Sequence, residues 1–233
     1  MATQAQPPAP PAASPAERVR AAYAARAESD YIAKFWTAFG WSILTCGIYG
    51  YYMLYQLVRR SRDHNRRRLE MLDAATALGW ERAQSSGQDD RLRPQFERIG
   101  LDIGVLRAMT TDFRDPTIWI VIALIAGLFT GIGGLVVTFI LYIFLDQDLV
   151  KHDKAERAVE AQLAEIYSGL GADLPGPTGT PKSPYSYAGR VVATIFSLGF
   201  YVLWWQYNLM EDGNRHFEEN WAWEDGLRHT LGG

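Results

Sequence analysis

The sequence contains a single cysteine and none of the short motifs that mark common enzyme sites. Cys46 is the only thiol, so an intramolecular disulfide and a cysteine-based metal site are both excluded. No GxSxG, Walker loop, HExxH or GxGxxG pattern occurs along the chain. We therefore expect no enzymatic activity and no cofactor.

The chain also lacks the positive charge that is typical of nucleic-acid-binding proteins. Its net charge is −3 over 233 residues, and no basic stripe alternates with aromatic residues. Residues 1–16 are rich in alanine and proline, and they lack the basic start and continuous apolar core of a secretory signal. We expect no nucleic-acid partner and a disordered N-terminal tail.

Charged residues are absent from three long apolar stretches: Phe35–Val58, Thr117–Leu145 and Val191–Met210. About 20 apolar residues are needed to cross a hydrocarbon core of ~30 Å. A backbone in lipid must satisfy its own hydrogen bonds, so each stretch should be helical. The sequence predicts an all-α integral membrane protein with three transmembrane helices plus amphipathic helices in the loops.

These stretches divide the chain into seven predicted segments. They are the tail 1–16, a lead-in helix and first transmembrane helix 17–58, a cytoplasmic helical loop 59–115, a second transmembrane helix with a helical extension 116–171, a Pro/Gly linker 172–189, a third transmembrane helix 190–210 and a polar tail 211–233.

Arginines follow the first apolar stretch closely and predict its orientation. The six juxtamembrane residues are Arg59, Arg60, Arg62, Arg66, Arg67 and Arg68. Arginines beside a span mark its cytoplasmic end, and they also attract anionic lipid. Three crossings would then place the N-terminus outside and the C-terminus in the cytoplasm, with the second helix antiparallel to the other two. In the alternative, the first stretch bends back near Gly47 and is re-entrant.

Small residues at four-residue spacing predict surfaces for helix packing. Lipid is as apolar as leucine, so membrane helices associate where small side chains let backbones approach closely. We expect these stripes to pack against each other or across a dimer. The residues are Ala38, Ser42, Cys46 and Gly50 in the first stretch, and Ala123, Gly127, Gly131 and Gly134 in the second.

Three histidines, His64, His152 and His216, each follow an apolar stretch by several residues. Such positions are compatible with a metal or haem site. No two histidines have the i, i+4 spacing of a helical metal site, so we interpret all three as interfacial surface residues and predict no metal.

The first and third apolar stretches resemble each other. TCGIYGYYMLYQLVRRSRDH aligns without gaps to SLGFYVLWWQYNLMEDGNRH, which pairs Gly47 with Gly199 and His64 with His216. Internal repeats are common in membrane proteins, although aromatic-rich spans also look alike by composition alone.

The same region carries a family resemblance. Phe35-Trp36, the run Thr45-Cys46-Gly47-Ile48-Tyr49, the aromatic pair Tyr52/Tyr55 and Asn65 make up a T-x-G-I-Y pattern, and Gln147-Asp148-Leu149 follows the second stretch. Residues 33–75 and 116–157 resemble the two halves of a family of small bacterial multi-pass membrane proteins of unknown function. The resemblance implies a protein of the bacterial inner membrane, with the third stretch as an addition.

Two functions are compatible with these observations. The first is a non-enzymatic anchor or accessory subunit that lies in the lipid bilayer, associates through its small-residue faces and binds a protein partner or a second copy of itself. The second is a small oligomeric channel or transporter built from the repeated stretches. The absence of intramembrane charge is unfavourable for an ion pathway.

Overall fold

Helices form throughout the described part of the chain. The structure, a computed structural model, describes residues 13–130 and 132–232, and no strand occurs in these ranges. The all-α prediction is confirmed for them. Residues 1–12 of the predicted disordered tail, and Gly131 of the predicted packing stripe, lie outside the described residues. Ser14 already caps the first helix in a reciprocal arrangement with Glu17.

The helices are, in chain order, α1 (Pro15–Ala24), α2 (Arg26–Ser29), α3 (Phe35–Leu44), α4 (Ile48–Ser85), α5 (Asp89–Thr111), α6 (Pro116–Thr130), α7 (Gly133–Gly169), α8 (Tyr187–Phe196) and α9 (Tyr201–Thr230). Local chemistry explains several of these boundaries. For example, α6 begins at Pro116, where the missing N–H costs nothing. The Asp115 carboxylate accepts hydrogen bonds from the free N–H groups of Thr117 and Ile118, at 2.8 and 3.0 Å.

Each predicted span is a helical hairpin rather than one continuous helix. Hairpin 1 consists of α3 and the start of α4, hairpin 2 of α6 and the start of α7, and hairpin 3 of α8 and the start of α9. In hairpin 2 the rings of Trp119 and Phe144 lie 5.8 Å apart, which is possible only if the two arms are antiparallel. The first stretch therefore bends back near Gly47, as the re-entrant alternative predicts for its shape. The third stretch bends back in the same way, near Gly199.

The three long helices α4, α7 and α9 start at the hairpin tips and run side by side in the same direction. Leu57, Leu145 and Leu209 lie at one level of the bundle and pack in one apolar cluster. Further along, Tyr167 of α7 donates a hydrogen bond to the Ala75 carbonyl of α4 at 3.0 Å. The expectation that the second helix runs antiparallel to the other two is wrong, because each turn reverses the chain before its long helix begins.

The predicted count of three transmembrane helices is also wrong. By length and composition, two helical segments are apolar enough to cross a membrane, within Asp89–Thr130 and Gly133–Gly169. The first and third stretches contain only short apolar helices, Phe35–Leu44 and Tyr187–Phe196, because each is interrupted at its centre. Both stretches contain enough apolar residues to cross a membrane, but the length of an apolar stretch does not show whether a turn interrupts it.

The N-terminal helix packs beside the end of the last helix. Arg26 forms an ion pair with Asp225 at 2.7 Å, and the Tyr23 hydroxyl donates to the same carboxylate. A second apolar core lies here, away from the hairpins, and includes Met71, Leu163 and Trp223. α1 and the end of α9 therefore share one end of the bundle.

Candidate functional site

The tips of hairpins 1 and 3 have the same backbone geometry. Cys46 and Gly47 have positive φ angles of 50° and 90°, and Leu198 and Gly199 have φ angles of 52° and 93°. The Gly47 N–H donates to the Ser42 carbonyl at 2.7 Å, as in a glycine-terminated helix end. The aligned Gly47 and Gly199 of the sequence repeat therefore perform the same local role.

A hydroxyl group completes each of these two turns. Thr45 donates to the Trp41 carbonyl at 2.8 Å and accepts from the Tyr49 N–H at 2.9 Å. Ser197 accepts from the Tyr201 N–H at 2.8 Å in the same way. At the tip of hairpin 2, Thr130 accepts from the Gly133 N–H at 2.8 Å. At each tip a hydroxyl of the chain therefore satisfies a backbone N–H that begins the long helix.

The side chains at the tips are apolar and unusually exposed. Phe129, Phe196 and Leu198 expose 85%, 85% and 90% of their surface. No charged residue lies in any of the three apolar stretches that form the tips. An exposed apolar surface of this kind marks a site of contact with lipid or with another protein.

The predicted small-residue stripes lie mostly inside individual hairpins. A Cβ placed on Gly134 would lie 3.1 Å from the Cα of Gly127 and 3.1 Å from the Ala123 carbonyl oxygen, so these three residues bring α6 and α7 together. A Cβ on Gly50 would lie 3.8 Å from the Ser42 hydroxyl oxygen across hairpin 1. The other two residues of the first stripe do not share one environment, since Ala38 is buried and Cys46 is exposed at the tip.

The six juxtamembrane arginines do not form one solvated face. Arg59 and Arg66 are exposed and Arg62 is partly exposed, whereas Arg60, Arg67 and Arg68 are buried in the bundle. Arg68 pairs with Glu156 of α7 at 3.0 Å and with Glu224 of α9 at 3.2 Å. Half of the basic cluster therefore joins the long helices, and only the other half is available to lipid headgroups.

Three histidines meet at the centre of the bundle, one from each long helix. The ring of His64 lies 5.2 Å from that of His216 and 6.1 Å from that of His152, measured between ring centroids. All three side chains are buried, so their interpretation as surface residues is wrong. Parallel long helices that start at equivalent turns bring residues at similar distances from those turns to the same level.

Carboxylates surround the histidine rings. Nδ1 of His64 lies 2.9 Å from Asp30, and Nδ1 of His216 lies 3.3 Å from Asp153. Glu156 lies between two rings, with one oxygen 3.2 Å from Nε2 of His152 and the other 3.2 Å from Nε2 of His216. We call the set His64, His152, His216 and Glu156 the histidine cluster.

His152 is unusual in this set. Neither of its ring nitrogens has a hydrogen bond of acceptable geometry, although Nε2 approaches Glu156. A buried polar group without a partner costs about 1–3 kcal/mol. A cavity of about 20 Å³ adjoins the three rings and is also lined by Leu57, Leu145 and Leu209. The cavity is large enough for one water molecule or one ion.

Burial and hydrogen bonding shift the pKa values of His64 and His216 in opposite directions. Burial lowers the pKa of His64 to about 4 despite the opposing charge of Asp30, so this ring is neutral near pH 7. Burial would also lower the pKa of His216, but hydrogen bonds with Asp153 and Glu156 raise that pKa to about 9. The cluster therefore offers at least one imidazole lone pair beside a carboxylate, and His64, His152 and Glu156 present ligand atoms within 4.8 Å of one another.

Residues 33–144 match the model of a family described as a domain of unknown function (DUF4234). The match covers just under half of the chain and includes hairpin 1, α5 and hairpin 2, so hairpin 3 lies beyond it. No curated protein and no solved structure matches the chain.

Proposed function

We propose that this chain is a non-enzymatic protein of the bacterial cell membrane, which inserts three helical hairpins into the bilayer from one side and serves as an anchor or accessory subunit. The observation that carries the proposal is the shared chemistry of the three tips: each is uncharged, internally hydrogen-bonded and covered with exposed apolar side chains. The hairpins lie parallel, so a single planar surface can receive all three.

The length of the apolar arms supports insertion without crossing. The exposed charged residue Arg59 follows the turn at Gly47 by about 12 residues, or roughly 18 Å of helix. Exposed Lys34 and Asp115 precede the tips of hairpins 1 and 2 by similar distances. A hydrocarbon core is ~30 Å thick. Tips at this depth end within the hydrocarbon, and the charged ends of the arms meet the headgroups of one leaflet.

The remaining helices would then lie on the cytoplasmic side. Arg59, Arg62 and Arg66 stand at the level of the headgroups, where arginine favours the cytoplasmic face. Since α1 packs against the end of α9, we propose that both lie in the cytoplasm. The outer face of α5 suits a protein partner or a second copy of the chain, because Leu101 and Val105 are exposed beside two glycines, Gly100 and Gly104, that have open space around them.

The alternative function, an oligomeric channel or transporter, has less support. A pore needs a path from one side of the bilayer to the other, and hairpins that enter and leave on one side provide no such path. Each hairpin would have to cross a thinned bilayer for the channel to form.

The native Cys46 provides the test, because it is exposed at the tip of hairpin 1. In sealed membrane vesicles of either orientation, we expect Cys46 to resist an impermeant maleimide and to react with it only after detergent solubilisation, because a thiol within the hydrocarbon is neither accessible nor ionised. The matched control is Ser85→Cys in a Cys46→Ser background, since Ser85 is exposed at the far end of α4. That position should react with the impermeant reagent from one side only. Labelling of Cys46 by the impermeant reagent from the opposite side would show a complete crossing and overturn the proposal.

A second experiment tests whether the tips hold the protein in the membrane. Leu44 and Leu101 are equally exposed, each at 74%, but Leu44 lies at a tip and Leu101 on α5. We expect Leu44→Asp to weaken retention of the protein in the membrane fraction after an alkaline wash, and Leu101→Asp to leave it unchanged. Equal retention of the two variants would count against the tips as the inserted surface.

A further inference from the structure

We infer that the histidine cluster is a binding site for one divalent transition-metal ion, held by His64, His152 and Glu156, whose ligand atoms lie within 4.8 Å of one another. The ion would occupy the position between the three long helices, next to the cavity of about 20 Å³. This inference does not depend on how the hairpins meet the membrane.

The first support is the orientation of the rings. Metal-binding histidines usually direct one ring nitrogen at the ion and donate a hydrogen bond from the other nitrogen to a carboxylate. His64 does this with Asp30 at 2.9 Å through Nδ1. Its Nε2 atom consequently faces the centre, where it lies 3.3 Å from the side-chain amide of Asn220.

The second support is the unpartnered ring of His152. Its two nitrogens are buried and make no hydrogen bond, while Nε2 approaches the Glu156 carboxylate at 3.2 Å. An ion between the ring and the carboxylate would supply the missing partner. His152 and Glu156 are one helical turn apart on α7, so one helix presents both ligands on the same face.

The donor set points to an ion that favours imidazole. Two imidazoles and one carboxylate suit Zn²⁺, Co²⁺ or Fe²⁺ better than Mg²⁺ or Ca²⁺, which prefer oxygen ligands. A water molecule in the adjoining cavity would complete a tetrahedral shell. Because His64 lies on α4 and His152 and Glu156 lie on α7, the ion would link hairpins 1 and 2 at their base.

Titration of the purified full-length protein with Co²⁺, after treatment with a chelator, tests the assignment. We expect one Co²⁺ per chain, with the intense visible absorption of a tetrahedral ion. His152→Ala should lose at least tenfold in affinity together with that absorption. His229→Ala is the matched control, because the fourth histidine is exposed near the end of α9, and it should bind like the original protein. No binding by the original protein, or equal binding by the two variants, would overturn the proposal.

A measurement on the unaltered chain covers the case in which His152→Ala fails to fold. Zn²⁺ added in slight excess should raise the Tm of the chelator-treated protein, because an ion that binds only the folded state stabilises it. Asp30→Asn should reduce the affinity for Zn²⁺ by about 10- to 100-fold and keep one ion per chain, since it weakens the group that orients His64. Asp30 also pairs with the buried Arg67 at 2.7 Å, so the Tm of this variant is compared with and without Zn²⁺. A Tm that does not respond to Zn²⁺ would show that the cluster is a hydrogen-bonded network without an ion.

Discussion

Thr45 and Ser197 make the same hydrogen bond at two tips that are far apart in the sequence: each hydroxyl accepts the N–H of a tyrosine four residues later, at 2.9 and 2.8 Å. The tyrosines are Tyr49 and Tyr201, the aromatic positions that align in the repeat. The pattern T-x-G-I-Y thus has a physical explanation as a turn between two helices, with a hydroxyl that caps the long helix and a glycine that reverses the chain.

Removal of the hydroxyl should destabilise hairpin 1. Thr45→Val keeps the shape of the side chain but leaves the Tyr49 N–H without its partner, while the Trp41 carbonyl still accepts from the Thr45 backbone N–H at 3.0 Å. Loss of a helix cap costs about 1 kcal/mol, so we expect the free energy of unfolding in detergent to fall by that amount. Thr111→Val is the control, because the exposed Thr111 hydroxyl only donates to its own helix. Equal losses in the two variants would argue against a capping role for Thr45.

The turn itself should require glycine at position 47. Gly47 has a φ of +90°, and a side chain in this left-handed region costs roughly 1–2 kcal/mol. We expect Gly47→Ala to lower the Tm. Gly40→Ala places the same methyl group in α3, where no atom lies within 4 Å and φ is helical, so it should be neutral or raise stability by up to about 1 kcal/mol. A similar Tm change in both variants would contradict the assigned turn.

Close approach of α6 and α7 should depend on Gly134. A methyl group there would meet the Cα of Gly127 and the Ala123 carbonyl oxygen, each at 3.1 Å, and neither is a flexible side-chain end. Overpacking of this kind typically costs about 1–3 kcal/mol. Gly134→Ala should therefore lower the thermal stability of the protein, while Gly100→Ala on the open face of α5 should not. Unchanged unfolding of Gly134→Ala would mean that the hairpin is looser than described.

Arg68 should be the most sensitive of the six juxtamembrane arginines. Its guanidinium is fully buried and contacts Glu156, Glu160 and Glu224, so its removal leaves buried carboxylates without a partner. Breaking a buried ion pair in this way costs about 3–5 kcal/mol. We expect Arg68→Met to unfold at much lower denaturant concentration than Arg66→Met, in which the exposed neighbour is changed. Comparable midpoints would contradict the burial of Arg68.

Hydrophobicity predicted which stretches form the hairpins, but not their shape. Helix, apolar surface and the start of α6 at Pro116 follow from composition and from proline chemistry. The turns of hairpins 1 and 3 depend on two residues each, such as Cys46 and Gly47, within uniformly apolar surroundings, and a count of apolar residues cannot detect them. A glycine inside an apolar stretch has several explanations, and the available signal for a turn was the repeated hydroxyl four positions before a tyrosine.

The sequence did not predict the histidine cluster, because the criterion for a metal site was the spacing of histidines along a single helix. His64, His152 and His216 come from three different helices, and their convergence depends on the parallel arrangement of those helices. The alignment of His64 with His216 at equal distances from Gly47 and Gly199 was the available signal. The alignment becomes informative once Gly47 and Gly199 are known to lie in turns. Two parallel helices that start at such turns bring residues the same number of positions from each turn to the same level of the bundle.

The antiparallel arms of each hairpin also determine how the tips respond to an electric field. A helix carries about half a positive charge at its N-terminus and half a negative charge at its C-terminus. At every tip a short helix ends where a long helix starts, for example α3 at Leu44 and α4 at Ile48, so opposite partial charges lie side by side. The dipoles of the two arms therefore cancel locally at each tip. In the membrane-inserted arrangement that we propose, the tips carry neither net charge nor a net dipole, and a change of membrane potential would exert almost no force on them.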